Sequence, residues 1–567
     1  MYFLIGHRGV GKTTLATSVP GGMDLDAEIL KTHDIADFFK KGKEAKFREL
    51  EREVLKNLLE QESAPVISLG AGFELEKFNF PQEAKFIWVQ RRSDETGRIF
   101  LDRPRLDSDK DHLEEFEGRK KKRDKLYSKH SDFSIDLEEG AEDFSLLTEL
   151  VEKGRLGKAP HGFYTLKKLA ELGFVSSPIE LRTDFFDEEN IREILERRRG
   201  LKDLVALRKP PTEKFIEYLL SRDDILVDVP LEYTSCDYFE LFKGPNFFVS
   251  EHDFISVEEI ASFNEKGVHI KWSPEVESFE DLIEYHNMVK DMDLSFLPRS
   301  VGSLAGRWNW YRQITYFRNK ITFFRYGLND YIDQPSFCEV SSLSDKEGLS
   351  GAVIGGDVSL SHSPAFHKKF FKDHFGGTYV RVSLYQDEFL QENLSFLNSL
   401  GVSFFSVTSP FKKELGKYSK DLEVANTLST RGVWSVEDTD KASILYLKEE
   451  LKNKKSVLVW GAGAVGTSVY KTLEDKARLQ SIRDYEEGAL EGEDFDALVW
   501  SAGSECILRP KLQNHPKVIY DIEYKEHSQA KAVALSWGSK YISGKDFFRV
   551  QAKAQQDFWL KFKKEEL

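Results

Sequence analysis

The chain is 567 residues long with 40% hydrophobic and 31% charged residues, the balance of a soluble globular protein with apolar mass for about three or four domains. Its net charge of −15 argues against general nucleic-acid or membrane-surface binding, although local basic pockets can still grip anions. Only three cysteines occur, Cys236, Cys338 and Cys506, without metal-ligand spacing, which excludes a disulfide framework and fits a reducing compartment.

The chain begins on the strand-like MYFLIG, with no basic region or cleavable apolar segment ahead of it. No uninterrupted apolar run reaches membrane-spanning length, so a cytoplasmic protein is expected. Tyr2 to Ile5 reads as a strand, followed at once by GHRGVGKTT and the helical LATSV. The spacing is G-x-x-x-x-G-K-[ST], with Gly6, Gly11, Lys12 and Thr13 in the motif positions. Gly6, Gly9 and Gly11 let backbone N–H groups, with Thr14 at the helix start, curl round phosphate. Lys12 reaches the terminal phosphates of ATP, and the Thr13 hydroxyl suits Mg²⁺. Asp24 and Asp26 stand at a strand-to-helix transition, where helix capping alone would explain one of them.

Further on come GKEAKFRELE with Arg48, VISLGAGF with Gly70 and Gly72, DRPRL with Arg103, and RDKLY with Arg123. In this order and spacing, residues 1–157 resemble shikimate kinase. The resemblance implies that Asp24, with Thr13, holds Mg²⁺ and that Asp26 meets the accepting hydroxyl. It places Arg48 and Arg123 on the shikimate carboxylate beside Gly70 and Gly72, and makes Arg103 the lid arginine on the transferring phosphoryl. Ala71 stands where the family usually has a third glycine, and its methyl group is expected to crowd the acceptor site.

Two polar stretches read as linkers, 153–160 and 341–351. Between them, in 160–345, apolar runs end repeatedly in charged groups: PIELRTDFF with Glu180 and Arg182, LVALRKP with Arg208, ILVDVPL with Asp228, FFVSEHDF with His252, and GVHIKW with Lys271. Charged strand ends separated by helix-length polar stretches predict a (β/α) barrel with its site at the strand C-termini, whole or reduced, because the segment is short for eight strands. Lys271 on a buried strand is costly unless paired or neutral, which suits a Schiff-base amine with His252 moving protons nearby. A strand-end lysine reaching to water is the plain alternative.

The set resembles type I 3-dehydroquinate dehydratase. That resemblance implies a Schiff base between Lys271 and the substrate ketone, His252 as the proton carrier, and no cofactor. Glu180, Arg182, Arg208 and Gln334 become substrate contacts. The loop that grips the substrate carboxylate is altered to SVGSLAGRWNWYRQI; counting back from Gln334 favours Arg312 as its arginine, with Arg307 the alternative.

In 350–567, KKSVLVWGAGAVGTSVYKTL is strand, G-x-G-x-x-G, helix, with Gly461, Gly463, Val465 and Gly466 placed for a dinucleotide pyrophosphate. About twenty residues on stand Arg483 and Asp484; an arginine there suits a ribose 2′-phosphate and an acid the free hydroxyl. Upstream lie SLSHSPAFH, SVTSPFKKEL, VANTL and EDTD. These resemble shikimate dehydrogenase, with a substrate lobe at 350–445, a Rossmann lobe at 446–540 and a returning C-terminal helix at 541–567. The resemblance implies NADP(H), read by Arg483. It puts Ser361 and Ser363 on the substrate carboxylate, Lys412 and Asp440 in proton transfer, and Asn426 and Gln551 on the substrate. Ser406, Asp438 and Leu360 replace the usual asparagine, asparagine and histidine, and the first change is expected to weaken hydroxyl binding.

The expected α/β chain thus joins a P-loop kinase domain, a (β/α) barrel and a two-lobed dehydrogenase. The expected function is conversion of 3-dehydroquinate to shikimate 3-phosphate on small-molecule substrates, with no nucleic-acid or membrane partner and a homodimer left open. A non-catalytic sensor of quinate or shikimate that regulates transcription, built from the same domains, is the rival. A fusion with one inactive domain is the mixed case. Lys12, Asp26, His252, Lys271, Lys412 and Asp440 are reactive types for which a sensor has no use.

Overall fold

The computed structural model describes residues 1–61, 64–91, 110, 112–136, 162–165, 178–242, 244–301, 306–325, 332–336, 339, 343, 348–359, 361–503, 506–524 and 528–563. Arg103, Cys338, Leu360 and the stretch 153–160 lie outside them.

The architecture is α/β throughout. In the N-terminal unit five parallel strands run in the spatial order Met23–Asp24, Val66–Ser68, Tyr2–Ile5, Lys85–Gln90, Phe133–Asp136. Tyr2–Ile5 is central, and Phe3 and Leu4 are fully buried, as a parallel sheet covered on both faces requires. The phosphate-type loop therefore leaves the middle of the sheet, before helix Lys12–Ser18.

Residues 162–324 form eight parallel strands: Gly162–Thr165, Ile179–Arg182, Leu204–Ala206, Leu226–Pro230, Phe247–Glu251, His269–Trp272, Leu294–Phe296 and Thr322–Phe324. The first pairs with both the second and the last, so all eight follow one another in a single sheet whose edges are the seventh and the eighth. Of the two forms that the segment length left open, whole or reduced, the structure has the full set of eight strands. Eight strands fit because several have only three residues, and the helices from Glu188–Arg197 to Phe279–Val289 run to 8–11 residues. Side-chain caps stop these helices abruptly at their starts: Asp187, Thr212, Ser256 and Ser278 each accept from a backbone N–H of the first turn. Between the seventh and eighth strands side chains replace the ladder. Ser295 Oγ accepts from Ile321 N at 3.0 Å, and Asn319 Oδ1 accepts from Phe296 N at 3.0 Å.

The last unit has two lobes. A mixed sheet, ordered Gly376–Ser383, Leu349–Gly355, Val402–Val407, Thr427–Ser429, Ser435–Glu437, forms the first. The second strand in that order starts at Leu349, inside the stretch expected to be linker, so that stretch ends earlier than 351. The second lobe is a parallel sheet ordered Ala477–Gln480, Val457–Trp460, Ala497–Trp500, Val518–Asp521, Lys540–Ile542, the 2-1-3-4-5 winding of a doubly wound fold. This sheet extends to 542, past the expected boundary at 540. Helix Lys545–Leu560 then returns to the first lobe, where Trp559 is fully buried and its indole donates to Leu428 O at 3.3 Å.

Barrel and first lobe share one core. Phe279, Trp308, Trp310 and Tyr311 of the barrel cluster with Phe396, Leu397 and Phe405 of the lobe. Phe279 stacks on Trp310 with ring centroids 5.8 Å apart and meets Phe396 edge-on at 6.1 Å. Within this apolar surround, Arg307 pairs with Glu388, donates to Glu277 O at 2.9 Å and lies over the rings of Trp308 and Tyr385. Glu388 also accepts from Phe279 N at 3.0 Å and Tyr385 N at 2.8 Å. The Arg307 side chain is 1% exposed, so removing either partner strands a buried charge. Arg307→Ala and Glu388→Ala are expected to destabilise the barrel–lobe unit by about 3–5 kcal/mol, read as a lower urea midpoint in tryptophan fluorescence.

Candidate active sites

The N-terminal site gathers at the C-terminal ends of its parallel strands. Gly11 has φ 102°, a left-handed turn that starts helix Lys12–Ser18. Lys12 Nζ donates to Gly6 O at 2.9 Å and His7 O at 2.8 Å, folding the amine over the loop. Thr13 Oγ1 donates to Asp24 Oδ2 at 2.6 Å, while Asp24 Oδ1 caps the next helix by accepting from Ala27 N at 2.9 Å. The capping and metal-side readings of Asp24 thus coexist in one residue. Among the described residues no cluster of three His, Cys, Asp or Glu side chains occurs; the Thr13 hydroxyl and Asp24 carboxylate lie together as oxygens of the kind a Mg²⁺ shares with phosphates and water.

Facing this loop, Arg48 donates to Glu51 at 2.7 Å and Glu44 at 2.8 Å. A Cβ at Gly72 would collide with the Arg48 guanidinium, and one at Gly70 would lie 2.6 Å from Glu51 Oε1 and 3.1 Å from Asp26 Oδ1. These glycines therefore bring Asp26, Arg48 and Glu51 together. Arg123 completes the group, its guanidinium held below its ordinary value by burial, with Arg119 and Arg48 adding to the depression. Burial pushes the Glu51 carboxyl up to about 7 against the pull of Arg48. Ala71 has no left-handed φ, and its carbonyl accepts from Tyr127 Oη at 2.6 Å. Sequence reasoning missed Glu51, although it lies three residues beyond Arg48 on one helix face.

The barrel opens at its strand C-termini into a cavity of about 560 Å³. Glu180, Arg182, Arg208, His252, Lys271, Arg312 and Gln334 all line it, whereas Asp228 and Arg307, also named from the sequence, do not. Lys271 is 4% exposed and pairs with Asp228, which is fully buried; Arg208 donates to the same Oδ2 at 2.8 Å and to Ser250 Oγ at 3.2 Å. Burial drives the Lys271 amine below its ordinary value against the pull of Asp228, and Arg208 adds to the depression. Burial pushes the Asp228 carboxyl up, but the two cations outweigh it and hold it well below the carboxylate range. His252 is exposed at the rim, and desolvation of its ring against the cavity, then Lys271, Arg208 and Arg299, hold the imidazole down to about 3. It is therefore a neutral base at physiological pH. Glu180 accepts from Thr165, and Arg182 forms a two-pronged pair with Asp184 at 3.0 and 2.8 Å. The alternative arginine, Arg307, is turned to Glu388 and is not among the lining residues.

In the third unit Lys412 Nζ donates to Asp440 Oδ2 at 2.6 Å, and Asn426 Nδ2 donates to Asp440 Oδ1 at 2.8 Å. Helix Lys412–Gly416 follows the strand Val402–Val407, and Asp440 opens helix Asp440–Glu450, so two helix starts deliver the pair. Burial, then Asp440, raises Asp438. Ser363 begins helix Ser363–Phe375, and its N–H donates to Ser361 Oγ at 3.3 Å. Ser406 does not point to open space. It accepts from Tyr379 Oη at 2.6 Å and donates to Gln555 Oε1 at 3.0 Å, a buried network the sequence did not reveal. Gln551 lies one turn earlier on the same returning helix, half-buried.

The dinucleotide loop has the cradle its spacing predicts. Gly461 has φ 112° and lies against the Ser501 backbone, and a Cβ at Gly466 would collide with Gly461 O and Ser501 Oγ. A Cβ at Gly463 would meet nothing within 4 Å, leaving room for a pyrophosphate over the helix that contains Val465. Arg483 is exposed just beyond the second strand, with Asp484 beside it.

Comparison with known proteins agrees with this layout at both ends. Residues 8–153 match the family model described as shikimate kinase, and residues 353–427 match that of the shikimate dehydrogenase substrate binding domain. Curated relatives include the NADP(+) shikimate dehydrogenases of Oceanobacillus iheyensis, 28% identical over 142 residues, and Bacillus cytotoxicus, 30% identical over 139 residues. These matches cover 22% and 21% of this chain and 51% and 48% of the relatives, so the chain spans about half the length of the curated relatives it matches. Among solved structures, the dehydroquinate dehydratase and shikimate dehydrogenase from S. pombe AroM aligns at 16% identity over 71% of this chain and 96% of its own, with a TM-score of 0.28. Aquifex aeolicus shikimate dehydrogenase aligns at 20% identity over 37% and 92%, with a TM-score of 0.32.

The two glycines of the cradle separate stability from binding. Gly466→Ala is expected to cost about 1–3 kcal/mol by overpacking, seen as a lower melting temperature. Gly463→Ala is expected to melt within about 0.5 kcal/mol of wild type while losing NADP(H) affinity, measured by fluorescence titration.

Proposed function

We propose that the chain is a trifunctional enzyme. Its barrel dehydrates 3-dehydroquinate, its two-lobed unit reduces the 3-dehydroshikimate formed to shikimate with NADPH, and its N-terminal unit phosphorylates shikimate with ATP. The observation that carries this reading is Lys271, a buried amine sharing one buried carboxylate with Arg208, in a cavity set between segments that match the two family models.

In the barrel, the depressed Lys271 makes the neutral amine accessible for attack on the ketone carbon, with loss of water to form the imine. The imine is an electron sink, so neutral His252 can take the adjacent carbon-bound proton and return it to the leaving hydroxyl, which departs as water. A second water then frees the amine. In the dehydrogenase unit Lys412, held by Asp440 and through it by Asn426, sits where a proton must be supplied to or taken from the substrate oxygen. NADPH, when bound at the glycine cradle, supplies the hydride. In the kinase unit Asp26 receives the acceptor hydroxyl, Arg48 and Arg123 hold its carboxylate, and Lys12 and the loop hold the phosphates. ATP and Mg²⁺ supply the phosphoryl group and its charge compensation there.

A cytoplasmic location and small-molecule substrates, without a standing nucleic-acid or membrane partner, belong to the same proposal. Among the described residues no helix is long and apolar enough to cross a membrane.

One reaction tests the whole. Purified protein with 3-dehydroquinate, NADPH and Mg-ATP is expected to accumulate shikimate 3-phosphate by mass spectrometry. Lys271→Ala is expected to leave 3-dehydroquinate unchanged. Asp440→Asn is expected to slow the second step roughly 10²–10⁴-fold, so that 3-dehydroshikimate accumulates. Silence of the wild type on 3-dehydroquinate, 3-dehydroshikimate and shikimate alike would leave the sensor reading.

The kinase step carries a pH signature. Ionisation of Glu51 as pH rises through about 7 adds negative charge beside Arg48 and Arg123, so affinity for the anionic acceptor is expected to fall across that window. Glu51→Gln is expected to flatten the inflection in KM for shikimate.

A further inference from the structure

We infer that Arg299, which the sequence did not single out, is the residue that meets an anionic group of the ligand in the barrel cavity, and that Arg312 acts behind it as a latch. The inference rests on the Schiff-base reading of Lys271 and names the specificity determinant of that site.

Each cation of the cavity is already committed to a different degree. Arg182 is closed onto Asp184, and Lys271 and Arg208 are closed onto Asp228. Arg312 is 6% exposed, and two of its nitrogens donate to main-chain oxygens, Nε to Pro298 O at 3.0 Å and Nη2 to Leu297 O at 2.9 Å. Those carbonyls belong to the two residues directly before Arg299. Arg312 thus spends its directional donors fixing the turn that presents Arg299.

Arg299 itself is one-third exposed and lines the cavity. Its backbone is pinned by the short parallel pair Glu275–Val276 with Arg299–Ser300, and its N–H donates to Pro274 O at 2.8 Å. The guanidinium spans the ends of two neighbouring strands, Nε donating to Ser273 O at 2.8 Å and Nη2 to His252 O at 3.3 Å. Among the described residues it pairs with Glu275 at 3.5 Å, an outer side chain 61% exposed, where the pairing is weak. The other nearby acid, Asp333, is satisfied by Ser300, whose N–H donates to Oδ2 at 2.8 Å and whose hydroxyl donates to Oδ1. Carbonyl contacts orient a guanidinium without neutralising it, so Arg299 keeps a net charge facing the cavity within the neighbourhood of Lys271 and His252. A ketone bound at Lys271 with a carboxylate elsewhere on its ring is the ligand class this arrangement selects.

The test uses the full-length protein and imine trapping at Lys271. Attack of the neutral amine on a ketone carbon, with loss of water, gives the imine; borohydride delivers hydride to the imine carbon, and the secondary amine that results is read as added mass on the Lys271 peptide. Two probes are compared, 3-dehydroquinate and a hydroxylated cyclohexanone lacking the carboxylate. Wild type is expected to trap the carboxylated ketone at roughly 10- to 100-fold lower concentration, the size of one charge-assisted contact. Arg299→Gln is expected to erase that preference while still trapping the neutral ketone, and Arg299→Lys to restore part of it. Arg312→Lys is expected to lower the melting temperature and to keep most of the preference. Full preference retained in Arg299→Gln, or lost only in Arg312→Lys, overturns the inference alone. Absence of any adduct in wild type overturns the Schiff-base reading and this inference with it.

Discussion

One carboxylate without access to water organises the centre of this molecule. Asp228 is fully buried in the middle of the fourth barrel strand, and an isolated charge there would be prohibitive. Lys271 from the sixth strand and Arg208 from the end of the third converge on one of its oxygens. The geometry satisfies the acid with more positive charge than it needs. Burial is what depresses the lysine amine, with Arg208 adding to it, and burial, then these two cations, keep the histidine at the rim neutral. Remove Asp228 from the arrangement and the two cations repel; the barrel core and its chemistry are therefore the same construction.

The other two sites rest on a different constraint, backbone that comes too close for a side chain. Gly72 yields its space to the Arg48 guanidinium, and Gly466 to a carbonyl and a serine hydroxyl. Glycine at these points shapes a concavity, and Asp24 and Asp440 then each serve two partners, Asp24 a helix N–H and the Thr13 hydroxyl, Asp440 the Asn426 amide and the Lys412 amine. Such double use explains why a capping aspartate and a functional aspartate look alike in a sequence.

What was legible follows from this. The phosphate loop and the glycine-rich turn stood out because each is compressed into a dozen residues between a strand and a helix. The charged strand ends were legible because their partners recur at fixed positions along apolar runs. The barrel's completeness was not legible: strands as short as Leu204–Ala206, Leu294–Phe296 and Thr322–Phe324 give too few residues for alternation to register. Glu51, Arg299, Glu388 and Gln555 were missed because their significance depends on burial and on partners distant in the chain. A lone arginine after Leu-Pro has no local pattern to mark it. The assignment of Arg307 is instructive: it sits in the loop where an anion-binding arginine was sought, yet it is committed to another domain.

That commitment has a mechanical consequence. With Arg307 locked on Glu388 and aromatic rings interleaved across the seam, the first lobe of the two-lobed unit is bolted to the barrel. Two helices join it to the second lobe: Asp440–Glu450, whose Ile444 and Leu447 enter that lobe's core, and the returning Lys545–Leu560, with Trp559 as its peg. Barrel plus first lobe thus form one frame, and the second lobe is carried on two helices, so a hinge between the lobes would lie in those helices rather than at the barrel seam.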